Sequence, residues 1–250
     1  MLSRPFATTC YSAPYPGGSD LQVIVDFKAS VELTPDILDQ LRRPFQGLAE
    51  MGQWGGMAGE KYQPQHSAMV LVTDGMKVGP STVRWDFNVM NVDPGTAFVI
   101  QNLVHNLHLF VAPVVSLVIR SPLVRDGAPV QEELPEDYEP YPFVVQDERE
   151  TGTVMVDVDF AVRQAPAAAE PFRDGWDGWY EVAAHGGFCS EDYPPEEVSI
   201  NVEDDLKVLS DGIGGVFDDV AIDDAGFSCL INMLQTLHYR LTPISEVTIE

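Results

Sequence analysis

Hydrophobic and polar residues alternate with a period of two across Leu21–Leu33, which predicts a half-buried β-strand. Thr34 and Pro35 follow as a helix start, because threonine caps a helix well and proline is tolerated at its first position. Apolar residues then recur every three or four positions, which predicts an amphipathic helix with one buried face. These residues are Ile37, Leu38, Leu41, Phe45, Leu48 and Met51.

Two more strands, a second helix and a last strand complete this unit. The strands are predicted at Ala68–Thr73, Val83–Val92 and Val114–Ile119, and the helix begins after Asp93. The order βαββαβ is typical of a ferredoxin-like α+β domain, in which two helices cover one face of a four-stranded antiparallel sheet. We expect the other sheet face to be moderately apolar, with Trp85 and Phe87 as candidates to lie on it.

The same pattern returns in the second half of the chain. Residues Val23–Pro64 match Val154–Pro195 without a gap at a constant offset of 131, and the match continues after Val72 at an offset of 130. A repeat of this length predicts two tandem domains rather than a solenoid. We therefore expect a pseudo-two-fold, dimer-like unit in which the two sheets bury each other's open faces or join at their edges. The predicted organisation is an extended N-terminal arm at 1–21, a first repeat at 22–120, a Pro- and Glu-rich linker at 121–152 and a second, acidic repeat at 153–250.

Negative charge is concentrated in the second repeat. The net charge is −25, yet residues 1–125 carry 9 basic and 10 acidic residues whereas residues 126–250 carry 5 and 29. Unpaired buried carboxylates are costly, so we expect most of these side chains to be exposed. Such a field repels nucleic acid and anionic membranes and attracts basic proteins, although acidity can also serve solubility alone.

Other features of the sequence narrow the function only slightly. No stretch approaches the roughly 20 apolar residues of a membrane helix, and the first 18 residues lack the apolar core of a secretory signal. The three cysteines have neither metal-binding nor redox spacing, which favours a soluble cytoplasmic protein with reduced thiols. We predict no cofactor and no metal, and the sequence assigns no catalytic residue.

Candidate binding residues come from positions that the two repeats share and from pairs of acidic residues. The paired glycines after each first helix indicate either a loop that approaches a ligand or a tight turn with positive φ. The matched histidines late in each second helix indicate either ligands or groups that complement the helix dipole. The acidic pairs could bind calcium or form a solvated face. The candidates are Gly55, Gly56, Gly186, Gly187, Trp54, His108, His238, Asp218, Asp219, Asp223 and Asp224.

Two functions remain open at this stage. The leading hypothesis is a non-enzymatic binding protein whose acidic C-terminal half contacts a basic protein partner, as an immunity or inhibitor protein does. The alternative is an enzyme or small-molecule binder with a pocket at the interface of the two repeats. A flat acidic surface would favour the first hypothesis, and a pocket lined by carboxylate, histidine and aromatic side chains would favour the second.

Overall fold

The computed structural model describes residues 4–12, 20–59, 62–121, 141–149 and 152–250. These residues form a mixed α+β protein with two five-stranded sheets and four α-helices. The strands are β1 (Ala7–Ser12), β2 (Leu21–Phe27), β3 (Ala68–Val78), β4 (Thr82–Met90), β5 (Val114–Ser121), β6 (Val144–Asp147), β7 (Gly152–Phe160), β8 (Ser199–Val208), β9 (Gly212–Ala221) and β10 (Ile244–Ile249). The helices are α1 (Pro35–Gln53), α2 (Thr96–Phe110), α3 (Arg173–Ala184) and α4 (Asp224–Arg240).

Each sheet contains one edge strand that the hydrophobic pattern did not predict. The first sheet has the order β1-β5-β2-β4-β3 and the second has the order β6-β10-β7-β9-β8. Strands β1 and β6 pair in parallel with β5 and β10, whereas the other neighbouring strands are antiparallel. β1 lies in the segment interpreted as an arm, and β6 lies in the segment interpreted as a linker.

The strand pairings correct the sequence match by two residues at the first strand of each half. In the first sheet, Val25 pairs with Leu117 and Val83. The residues that match Leu117 and Val83 in the second half are Val247 and Ile213, and both pair with Val158. The counterpart of Val25 is therefore Val158, whereas the sequence match gave Val156. Because side chains alternate across a strand, a slip of two residues keeps every side chain on its own face, and the sequence pattern alone does not reveal it.

The prediction that Trp85 and Phe87 lie on the open sheet face is wrong. Both side chains are fully buried on the side covered by the helices, where the Phe45 ring stacks on Trp85 with ring centroids 4.1 Å apart. Alternate residues of a strand share one face, so Arg84 lies on the opposite, solvent-facing side.

The two halves pack through their helices, so the expectation that their sheets bury each other or join is also wrong. Helices α1 and α3 cross where Gly47 meets Gly178. A Cβ atom on Gly47 would lie 2.8 Å from the carbonyl oxygen of Gly178, and one on Gly178 would lie 2.7 Å from that of Gly47. Glycine at both positions lets the two backbones touch. Because the helices form this contact, the outer faces of both sheets remain in solvent.

Candidate functional site

The outer face of the second sheet is exposed and acidic. Along β7 the side chains of Val154, Val156 and Val158 are buried, and those of Asp157 and Asp159 between and beyond them are exposed. Strand β9 carries glycines across this surface, and their missing side chains leave a shallow depression of about 570 Å³. We define the acidic face by the charged residues that line this depression: Asp157, Asp159, Asp204, Asp211, Glu250 and the single basic residue Lys207.

Part of the acidic face lacks a compensating charge. Lys207 bonds Asp204 at 2.7 Å, and an arginine bonds Asp211 at 3.1 Å. Asp157, Asp159 and Glu250 form no ion pair with any residue that the structure describes. Their like charges therefore add to the field in front of the sheet.

The outer face of the first sheet has a different charge pattern. There the Asp86 carboxylate accepts hydrogen bonds from Lys77 at 3.1 Å and from Arg84 at 2.9 Å. Asp26 accepts hydrogen bonds from the hydroxyl groups of Thr82 and Ser116, each at 2.7 Å. Asp86 is thus paired with two basic side chains and Asp26 is held by two hydroxyl groups, whereas three carboxylates of the acidic face have no ion pair with a described residue.

The four acidic residues chosen from the sequence do not line the depression of the acidic face, and each has a local structural role. Asp218 accepts a hydrogen bond from the Thr153 hydroxyl at 2.5 Å, and Asp219 has a left-handed backbone with φ 54°. Asp223 caps α4, and Asp224 bonds an arginine at 3.1 Å. No group of three or more potential metal ligands occurs within the described ranges.

The two matched histidines join a helix to the strand that follows it. The Nδ1 atom of His108 accepts a hydrogen bond from the backbone N–H of Val114 at 3.0 Å, and that of His238 accepts one from Ile244 at 2.9 Å. Phenylalanine rings lie 5.8 Å from each imidazole. Both side chains thus stabilise equivalent turns in the two halves.

The glycine pairs adopt the predicted conformation and lie at the contact between the halves. The expected positive φ is confirmed for Gly55, at 77°, and for Gly186, at 71°. A Cβ atom on Gly55 would lie 2.8 Å from the Thr236 hydroxyl of α4, and one on Gly186 would lie 3.1 Å from the Asn106 amide of α2. Each glycine loop therefore packs on the second helix of the other half. Gly56 and Gly187 directly follow these residues.

Trp54, another candidate from the sequence, also bridges the two halves. Its ring meets Phe172 edge to face with centroids 5.1 Å apart, and it covers Gly175 so closely that a Cβ atom there would lie 2.4 Å from the indole. The indole therefore fills the space beside α3, which is a packing role.

A cavity of about 300 Å³ opens between the two halves. The alternative functional hypothesis placed a pocket at this interface. We call this cavity the interface cavity. Most of its wall is apolar or backbone, with a few polar groups, as in many small-molecule sites. It is lined by Gly56, Met57, Ala58, Gly59, Asp93, Gly95, Thr96, Val99, Tyr141, Ala225, Ser228, Cys229 and Asn232. Of these, only Gly56 was a candidate from the sequence.

Burial keeps the cysteine thiols in their unreactive form. It raises the pKa of Cys229 to about 12 and that of Cys189 to about 11, and it also raises the pKa of Cys10. Because the thiolate is the nucleophile, none of the three is activated for covalent catalysis.

Comparisons with known proteins do not place this chain in a family. No protein-family model and no curated protein matches it. One solved structure, a mutant of the ferredoxin protease FusC in complex with Arabidopsis ferredoxin, aligns with 9% identity and a TM-score of 0.22. That alignment covers 98% of this chain and 41% of the other, and its score is too low to indicate a shared fold. In the described part of the chain, no helix combines the length and apolar character needed to cross a bilayer.

Proposed function

We propose that this protein is a non-enzymatic binding protein that contacts a basic protein partner through the acidic face. The observation that supports this proposal best is the cluster of exposed carboxylates that form no ion pair with any described residue, which includes Asp157 and Asp159. Consistent with the expectation from charge, no acidic residue in 141–149 or 152–250 is buried. A basic partner would replace mutual repulsion between these carboxylates with attraction, which gives both affinity and a fast association rate.

The shape of the surface also suits a macromolecular partner. The outer side of a sheet is broad, and its depression lies where Gly212 and Gly214 of β9 carry no side chain. The acidic face carries more unpaired charge than the outer face of the first sheet, where Asp86 is paired, and this difference would help to orient a partner as it approaches. Nucleic acid and anionic membranes are not proposed as partners, because the same field repels them.

We further propose that the architecture is a tandem pair of ferredoxin-like repeats related by a pseudo-two-fold axis. Within each half, the order β5-β2-β4-β3 or β10-β7-β9-β8 is the order expected for a βαββαβ unit, with one added edge strand. Free thiols at all three cysteines support a proposed location in the cytoplasm.

Matched charge variants test the proposed surface. The first variant neutralises the acidic face with Asp157→Asn, Asp159→Asn and Glu250→Gln. The control removes the same charge from an exposed loop outside that face, with Asp192→Asn, Glu196→Gln and Glu197→Gln. Proteins captured on immobilised wild type are identified by mass spectrometry, and each purified candidate is then measured by surface plasmon resonance at several salt concentrations.

We expect a basic partner whose association rate falls steeply with salt, because salt screens charges over about 8 Å at physiological ionic strength. The acidic-face variant should lose most of that rate, and the loop variant should retain most of it. Equal losses in the two variants would mean that net charge alone attracts the partner, and the proposed face would be wrong.

A further inference from the structure

The interface cavity, beside the start of α2, has a counterpart site beside the start of α4. Backbone hydrogen bonds show which residues of the two sites correspond. The Asp93 N–H donates to the Met57 carbonyl at 2.8 Å, and the Asp223 N–H donates to the Phe188 carbonyl at 2.9 Å. Each aspartate then accepts a hydrogen bond from the N–H two residues later, of Gly95 or Ala225. The start of α2 beside the cavity therefore corresponds to the start of α4 beside the counterpart site.

The edge strands extend this equivalence to the residues before them. Ala7 pairs with Ser116, and Val144 pairs with the corresponding Glu246. Counting back from these pairs, the sequence Arg4-Pro5-Phe6 corresponds to Tyr141-Pro142-Phe143. The position that Arg4 holds at one site is thus held by Tyr141 at the other.

The counterpart site is occupied by an arginine of the protein itself. The Asn102 amide donates to the carbonyl oxygens of Gly187 at 3.1 Å and Cys189 at 3.0 Å, and its oxygen accepts a hydrogen bond from Arg4 at 2.9 Å. Asn102 is 7% exposed, and burial lowers the pKa of Arg4. The counterpart site therefore contains the partly buried guanidinium group of Arg4, which is hydrogen-bonded to Asn102.

The interface cavity contains the equivalent asparagine without the arginine. Asn232 lines the cavity, and its side chain forms no hydrogen bond with the part of the chain that the structure describes. Tyr141 also lines the cavity, and its ring stacks on the Phe143 ring with centroids 6.0 Å apart. The cavity therefore lies at the position where the other half holds a guanidinium group.

We propose that the interface cavity binds a small molecule that carries an alkylguanidinium group. The Asn232 amide oxygen would accept a hydrogen bond from the guanidinium, as Asn102 accepts one from Arg4. The Asp93 carboxylate in the same wall supplies the negative charge, and its bond to the Gly95 N–H uses only one of its two oxygens. Charge-assisted hydrogen bonds of this kind are stronger than neutral ones.

The remaining wall fits the alkyl part of such a ligand. Met57, Val99 and Ala225 provide apolar contact around the polar groups. The Cys229 thiol stays neutral, so it does not add a second negative charge. A volume of about 300 Å³ lies at the lower end of the range for ligand pockets, which suits a short alkyl chain rather than a large cofactor.

Nuclear magnetic resonance titration of the full chain with butylguanidinium tests this site, with neutral butylurea as the control ligand. Spectra are recorded at about 0.15 M salt, which limits nonspecific attraction of cations to an acidic protein. Saturable shifts should appear at the Asn232 side-chain amide and at backbone amides around Asp93. Butylurea should bind at least about tenfold more weakly, because it lacks the charge.

Two substitutions and one matched control locate the binding. Asp93→Asn should weaken butylguanidinium binding about tenfold or more and keep the hydrogen bond from the Gly95 N–H, because the asparagine side-chain oxygen can accept it. Asp223→Asn removes the same charge from the equivalent position, beside the site that Arg4 occupies, and should leave binding unchanged. Tyr141→Arg should place a guanidinium in the cavity from within the chain and abolish binding of the probe.

Several results would overturn the proposal. Shifts spread over the acidic face, or equal losses in Asp93→Asn and Asp223→Asn, would show general attraction of cations to a negative protein. Equal binding of butylurea would show that the cavity does not recognise the guanidinium charge. Because Asp157 and Asp159 do not line the interface cavity, these results are independent of the proposed basic protein partner.

Discussion

Replacing Gly178 with alanine should weaken the contact between the two halves. The added Cβ atom would lie 2.7 Å from the Gly47 carbonyl oxygen, 2.8 Å from the Glu50 Cβ and 2.9 Å from the Met51 backbone nitrogen. All three atoms belong to the α1 backbone or lie next to it, so no side-chain rotation can relieve the overlap. Helices α1 and α3 must therefore move apart, which disturbs the core that they share.

The expected destabilisation follows from two opposing effects. Alanine favours a helix over glycine by up to about 1 kcal/mol. Overpacking a close contact costs about 1–3 kcal/mol and sometimes more, and here three contacts are affected together. We expect a net loss of about 2 kcal/mol, which for a chain of this length lowers the melting temperature by about 4–8 °C.

Thermal melting followed by circular dichroism measures this effect, with Gly79→Ala as the matched control. A Cβ atom on Gly79 would meet its nearest neighbour at 3.5 Å, an ordinary contact, so this variant should stay within about 0.5 kcal/mol of the wild type. If Gly178→Ala melts at the wild-type temperature, the backbone contact between α1 and α3 is wrong, and with it the packing of the two halves through their helices.

Three further changes test other parts of the structure. Gly55→Ala should lower stability by roughly 1 kcal/mol or more in denaturant titration, because φ is 77° and the new Cβ would lie 2.3 Å from the Pro64 carbonyl oxygen. Burial lowers the pKa of His105, so the unfolded chain binds a proton there more readily, and the contribution of His105 to stability should fall as the pH drops below about 6.5. His105→Gln should flatten that decline in melts between pH 5 and about 7, and an unchanged slope would assign it to other groups. Iodoacetamide at about pH 7.5 should modify the folded protein far more slowly than the unfolded protein, because all three thiols have raised pKa values.

Local patterns in the sequence predicted the elements that have their own periodicity. The alternation at β2, the Thr34 cap and the positive φ of Gly55 depend on neighbouring residues, and the structure contains each of them. Strands β1 and β6 were missed because short edge strands need little alternation of their own. Their stability comes from pairing with β5 and β10, which lie about a hundred residues away in the chain.

The contact between the halves was mispredicted although its signal was present in the sequence. Gly47 and Gly178 are matched positions inside the two first helices, where glycine is unfavourable without a reason. A glycine at the matched position of both helices indicates close helix packing, but it does not indicate which helix is the partner. The apolar residues of β4 suggested instead that the sheets meet, but these side chains lie on the face that the helices cover.

Only one residue of the interface cavity was a candidate from the sequence, and the way in which the candidates were chosen explains this difference. The match between the halves selects positions that stayed alike, and those positions, such as His108 and Gly186, stabilise turns and contacts in the structure. A binding site in one half alone would instead involve positions at which the two halves differ. Arg4 and Tyr141 are such a pair, and their equivalence becomes visible only when the edge strands are placed in the sheets. We therefore expect a function held by one half alone to depend on residues that differ at corresponding positions rather than on matched ones.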